Sequence, residues 1–313
     1  MAPGRVERAG RPRLTGPVSP TSGSEDDGLK QVRFPSKIHL TARMLRRDFL
    51  SMVSTFAAAT ALGAPEAKHS RKKGLGLTTR DNPNWAELHR KLNLSWIYTW
   101  GSNVPEGLAP ETEFVPMIWG YNKNDDQILK SATKAKEAGA TTLLGFNEPD
   151  HHDQSNLKVE TVLDAWPVLM KTGMRLGSPA PAHATREWMT AFMKGVKERN
   201  LRVDFISAHF YPGTDVDGFV NQMKKISALY DKPIWITEFA VADWSAKTRA
   251  ENRVKPEQVL TFMRKLLPKL EALDCVERYA WFPAGQQNRK LGPSALFDDK
   301  GNLTPLGEFY ASV

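Results

Sequence analysis

Eight short apolar runs recur along the chain from residue 74 onward, separated mostly by stretches in which apolar residues return every three to four positions. The runs are 74–78 (GLGLT), 94–100 (LSWIYTW), 113–119 (EFVPMIW) and 141–148 (TTLLGFNE). They continue at 174–180 (MRLGSPA), 204–211 (DFISAHFY), 233–240 (PIWITEFA) and 278–284 (RYAWFPA). Short apolar runs bounded by breakers predict buried strands. The spacing predicts helices over 124–140, 159–173, 186–200, 217–230 and 256–273. The first of these opens on acidic residues and stops at Gly139, as a capped helix does. The link from Gly101 to Thr112 is too polar and too rich in glycine and proline to read as a helix.

Strands alternating with helices imply parallel pairing through right-handed crossovers. Eight such units in 74–313 match a single (β/α)8 TIM barrel in size, with some helices missing or replaced by loops. An open, doubly wound sheet is the competing α/β arrangement. It would carry a glycine-rich phosphate loop between an early strand and a helix, and GLGL at 74–77 is not followed by such a helix start.

The formal charge of +8 suggests nucleic acid until it is located along the chain. Residues 1–74 hold 14 Lys and Arg against 6 Asp and Glu, whereas 75–313 hold 29 of each and all nine tryptophans. The folded part is neutral, which argues against a nucleic-acid partner. Residues 1–43 lack apolar periodicity and are expected to be a disordered extension. Residues 44–67 then read as an export signal. Arg46-Arg47-Asp48-Phe49-Leu50 resembles the twin-arginine pattern, and the apolar run 50–62 is too short to span a membrane as a stable anchor. Met44 is accordingly a second candidate start. Residues 68–73 form a basic linker to the barrel. A lone cysteine, Cys275, rules out an intramolecular disulfide and reads as a small buried hydrophobe.

On a barrel, chemistry gathers at the C-terminal ends of the strands. Glu148 ends the fourth apolar run and Glu238 ends the seventh. By simple alternation Leu144, Phe146 and Glu148 share one face, as do Ile234, Ile236 and Glu238. Two carboxylates then meet across the mouth, the pair that water attack on a glycosidic bond requires. Pro149 favours extended backbone at Glu148. His151, His152 and Asp153 resemble a metal cluster but lack a further ligand at suitable spacing, so they read as a solvated loop. No metal or cofactor is expected.

The segments GFNEPD, PMIWG, DFISAHFY, PIWITEFA and RYAWF resemble the catalytic domain of glycoside hydrolase family 128 over residues 74–313. The resemblance implies a retaining hydrolase of β-1,3-glucan with its acids on strands 4 and 7. Glu148 would be the acid/base and Glu238 the nucleophile. The acid/base role in turn requires a Glu148 pKa above the ordinary carboxylate value. Asn147 would bond the sugar 2-hydroxyl, and His209 and Tyr211 would bond Glu238 or the sugar. Trp100, Trp119 and Trp281 would stack on glucose rings. Trp166, Trp188 and Trp235 read as packing between strands and helices, and Trp244 is left open. The expected protein is an exported monomer acting on β-glucan. Two alternatives stand beside it: a non-catalytic glucan-binding protein on the same fold, and a related β-glycanase of other linkage.

Overall fold

The computed structural model describes residues 69–79 and 83–313, which fall within one compact unit of the chain. The expected extension, the export signal and the first residue of the linker lie outside the described residues. In chain order the elements are β1 (Lys73–Gly76), α1 (Trp85–Arg90), β2 (Trp96–Tyr98), β3 (Glu113–Phe114) and α2 (Asp125–Glu137). Then follow β4 (Thr142–Leu143), α3 (Val159–Met170), β5 (Arg175–Leu176), α4 (Glu187–Glu198) and β6 (Ile206–Phe210). The chain ends with α5 (Val216–Tyr230), β7 (Ile234–Phe239), α6 (Pro256–Ala272), β8 (Val276–Trp281) and α7 (Pro305–Ala311). Among the described residues no helix is long and apolar enough to cross a membrane.

Local chemistry explains these boundaries. Asn124, Asp215 and Thr304 cap α2, α5 and α7 by accepting the backbone N–H three residues on. Helix α2 buries Ile128, Ala132 and Ala135, the one-sided stripe that a period of 3.6 dictates. The six residues of α1 carry too few repeats to show a period. The stretch 101–112 is a loop, as its polarity implies.

The fold is mixed α/β with parallel strands in the order β3-β2-β1-β8-β7-β6, and β4-β5 form a separate parallel pair. The expected barrel is therefore met only as far as a parallel sheet. Around β4 and β5, single bridges Met117↔Leu144 and Gly177↔Phe205 stand where strand pairing was expected. The reason is local: Pro116 and Pro179 lack the N–H a ladder needs, and Gly145 and Gly177 weaken the strands they interrupt.

Two apolar layers pack on the two faces of the strands. The larger joins them to the helices, through side chains such as Trp166, Phe192, Phe239 and Leu266. The smaller, on the opposite face, unites Trp96, Tyr98, Met117, Leu144, Phe205 and Trp235. Near the strand starts it is covered by Arg175, over Phe205 at 5.0 Å, and Arg278, over Trp235 at 4.2 Å. Those cations pair with Glu277 and Glu113 at 2.7 and 2.6 Å. The opposite, C-terminal ends of the strands remain open. Cys275 is half-buried against the helix-side core, less enclosed than expected.

Gly145 lies where the fourth run approaches the fifth most closely. A Cβ there would come 2.9 Å from Pro179 N and 3.0 Å from Ser178 O, and backbone atoms cannot swing aside. Gly145→Ala should destabilise the protein by about 1–3 kcal/mol, the usual cost of overpacking. Urea unfolding reads this directly; unchanged stability would mean that the two strands can separate freely.

Candidate active site

Neither acid reaches the open end of the strands by regular alternation. Ile234 and Ile236 pack in the helix-side core, while Trp235 belongs to the opposite cluster. A regular β7 would therefore aim Glu238 at the helices. Instead β6 and β7 shift register: Ala208 pairs with Ile236, but His209 pairs with Glu238. The extra residue, Thr237, is a β-bulge that reverses the facing of all that follows. On the fourth run Leu144 lies in the cluster away from the helices and Phe146 in the helix-side core. Glu148 is re-aimed by a left-handed backbone, φ +38°, rather than the extended geometry expected before Pro149. The expected shared faces were thus wrong for both strands, and two local irregularities bring the acids together.

A carboxylate oxygen of each acid and the Nδ1 of His209 lie within 4.8 Å of one another. His209 Nδ1 donates to Glu148 Oε1 at 2.9 Å and lies 3.5 Å from Glu238 Oε2. Glu238 is the more enclosed acid and is met by neutral donors. Trp100 Nε1 donates to Oε1 at 2.8 Å and Tyr211 OH to Oε2 at 2.8 Å, while Tyr98 OH donates to Thr237 O at 2.9 Å and lies 3.4 Å from Oε1. Burial, followed by the charge of Glu238, pushes both phenols well above their ordinary pKa, so they remain protonated donors.

Burial alone would raise the pKa of Glu148. The hydrogen bond and charge of His209, with the charges of His151 and His183, outweigh it and hold the carboxyl below its ordinary value. His209 moves the other way. Burial disfavours the imidazolium, but Glu238 and then the bond and charge of Glu148 raise its pKa. The expectation of a raised Glu148 pKa is therefore corrected: the imidazole one hydrogen bond away draws the carboxyl down while its own pKa rises, which favours the proton on His209.

These groups floor a groove of about 970 Å³. Asn147, beside Glu148, is buried, and its Nδ2 donates to Gln154 Oε1 at 3.2 Å. Asn147 Oδ1 and His209 Nε2 are buried atoms without a protein partner. Trp119, 41 % exposed, forms part of the wall. Trp100 also lines it, with φ +54° and its indole N–H committed to Glu238. Trp281 does not. It is fully buried, packs edge-on against Phe239 at 5.0 Å and donates its N–H to Ser294 O. Ala280 faces the small cluster away from the helices, so its neighbour Trp281 must face them; the following residue, Phe282, lines the groove instead. Trp166, Trp188 and Trp235 pack in the two apolar layers.

Two groups among the described residues have metal-ligand geometry: Glu148, His209 and Glu238, and His151, His152 and Asp153. The first is bonded internally. In the second, His152 and Asp153 are exposed and paired at 3.2 Å, and His151 stacks on His152, the solvated loop expected. Alternation missed Tyr98, Gln154, Phe282 and Trp244. Parity counted back from Trp100 could have found Tyr98, and counted from Ala280 it could have found Phe282.

Comparison with known proteins places this geometry among relatives. The family model for the glycosyl hydrolase catalytic core matches residues 74–310. Alkali-sensitive linkage protein 1 of Schizosaccharomyces pombe is 31% identical over 252 residues, 78% of this chain; the chain spans only 45% of that relative's length. Among solved structures, a GH128 subgroup I endo-β-1,3-glucanase from Amycolatopsis mediterranei, in complex with laminaripentaose, is 33% identical with a TM-score of 0.66. The match covers 77% of this chain and 99% of that one. A GH128 subgroup III curdlan-specific exo-β-1,3-glucanase from Blastomyces gilchristii, in complex with glucose, is 28% identical with a TM-score of 0.63, over 78% and 99% of the two chains.

The proton on His209 has a measurable consequence. His209→Gln leaves burial as the main influence on Glu148, so its carboxyl titration, followed by ¹³C NMR, should move upward. Because the folded pKa of His209 is raised, its stabilising contribution is complete below the ordinary value of 6.5 and is lost as pH rises through the folded value. The stability gap between wild type and His209→Gln should narrow as pH rises above the ordinary histidine value of 6.5. A gap that widens over this range would place the proton elsewhere.

Proposed function

Since this chain belongs to the glycosyl hydrolase catalytic-core family and carries a GH128 domain, we propose that it hydrolyses β-1,3-glucan with retention of configuration. The observation that carries this reading is the approach of the two carboxylates to within 4.8 Å in one groove. Retaining enzymes hold their acids about 5–5.5 Å apart, whereas inverting ones leave about 6.5–9.5 Å for a water. The bridges beside β4 and β5 support reading the eight strands as a (β/α)8 barrel with its site at the usual end. The arginine pair at 46–47 supports export, and the chain is taken to act as a monomer.

Glu238, fixed by donors on both oxygens, attacks the anomeric carbon, and the bond to the leaving sugar oxygen breaks as that oxygen takes a proton from Glu148. Glu148 obtains its proton through His209 as a bound sugar excludes water, since desolvation favours the neutral carboxyl. Water then attacks the anomeric carbon of the glycosyl-enzyme, its bond to Glu238 breaks to free the carboxylate, and the water's proton passes to Glu148 acting as base. Asn147 Oδ1 accepts a hydroxyl of the reacting glucose, consistent with the bond to the 2-hydroxyl, and Trp119 gives a ring face to a neighbouring sugar.

Purified protein should hydrolyse laminarin, and Glu148→Gln should lose that activity. Glu148→Ala should lose least on substrates with good leaving groups, and azide should rescue its second step as a β-glycosyl azide. Glu238→Ala should give only the α-azide. Exchanged responses would exchange the two roles, and absence of hydrolysis by wild type on any β-glucan would favour a binding protein.

A further inference from the structure

Trp244 follows β7 on the loop 241–254 and is 53 % exposed, yet it is not loosely held. The side chain of Asp243, itself buried, accepts from Arg253 N and Nε at 3.0 and 3.1 Å and from Ser245 N and Oγ at 3.1 and 2.5 Å. Asp243 N donates to Lys290 O at 3.0 Å, and Asn252 Nδ2 donates to Arg289 O and Lys290 O at 2.9 and 3.0 Å. The loops after β7 and β8 are stitched together, and the indole between them is the part left open. Lys290 Nζ lies 5.4 Å from its ring, and Tyr211, which holds Glu238, meets it edge-on at 5.4 Å.

Burying a carboxylate to brace an exposed tryptophan makes sense if the ring must keep one position. Trp244 borders the same groove as Glu148 and Glu238, and so does Trp119. Trp119 leads from β3 and its carbonyl accepts Asn147 N, beside Glu148; Trp244 stands beside Glu238. In the sheet order three strands separate β3 from β7, so the two exposed indoles flank the acids from different sides.

We propose that Trp244 is a sugar-binding platform for a glucan unit beyond the reacting glucose, with the Lys290 ammonium beside it donating to a sugar hydroxyl, so that the groove grips the chain on both sides of the cleaved bond. This rests on the glucan hydrolase reading above. A flat indole face offers apolar area to the C–H face of a pyranose at little entropic cost, because the ring is already fixed. Gripping on both sides selects chains long enough to reach both indoles and favours cleavage within the chain.

The test uses full-length protein on β-1,3-linked glucan oligosaccharides of increasing length. Trp244→Ala should lower kcat/KM on the hexasaccharide about tenfold more than on the trisaccharide, about 1.4 kcal/mol of lost contact. Asp243→Asn, which keeps the ring but loosens its brace, should give a smaller loss with the same dependence on length. An equal loss at every length would mean that Trp244 acts only through Tyr211 and Glu238, and no loss would make it an inert wall; either overturns the proposal. Binding of the same oligosaccharides to Glu238→Gln, with and without Trp244→Ala, repeats the comparison without turnover. If wild type proves inactive, a length-dependent loss of affinity there leaves the platform standing while the hydrolase reading falls.

Discussion

Two carboxylates held within 4.8 Å repel by roughly 3–4 kcal/mol when both are charged, at an effective dielectric of about 20. The architecture around them answers that repulsion. A buried imidazole lies against both acids and gains a proton from the negative field they create. Two neutral donors, Trp100 and Tyr211, converge on Glu238 with the Tyr98 hydroxyl beside them, whereas Glu148 has one charged partner and more solvent. Similar side chains are thereby given different surroundings, the condition under which one carboxyl can serve as acid and another as nucleophile.

That asymmetry depends on backbone. The groups around Glu238 arrive on β2, just beyond it and just beyond β6, all at the C-terminal ends of strands and all aromatic. Aromatic donors serve two purposes here: their rings pack against one another while their polar tips satisfy a buried charge. An aliphatic lining would leave Glu238 uncompensated, and a lysine or arginine would add a second positive charge to a site already holding one.

Much of this was legible in the chain. Apolar runs located all eight strands, periodicity located the five longest helices, and the two strand-end glutamates stood out because nothing else of their kind ends a run. Facing was not legible. Alternation pointed both acids to the correct place for the wrong reason, since it took Phe146, Ile234 and Ile236 for neighbours of the site when they pack under helices. The same limit misassigned Trp281, one residue out of phase with Phe282. Gln154 and Trp244 lie on loops, where no period exists to count. The raised Glu148 pKa failed for a different cause: a carboxyl's environment depends on which imidazole reaches it, and only the fold brings His209 there.

Where the regular pattern breaks is itself informative. Three departures from ideal strand geometry cluster at one end of the sheet: the bulge at Thr237, φ +38° at Glu148 and φ +54° at Trp100. A left-handed non-glycine residue costs on the order of 1–3 kcal/mol, and it persists only where surrounding structure over-determines it. Of the seven such residues among the described ones, two carry groups of the constellation, Glu148 as an acid and Trp100 as a donor to the other acid. Regular strands would turn Glu238 under the helices and send Glu148 the way of Phe146, giving a better-formed sheet with no meeting of charges. The strain at Glu148 and Trp100 is therefore tied to the site, and the two well-packed apolar layers beneath it supply the stability against which it is held.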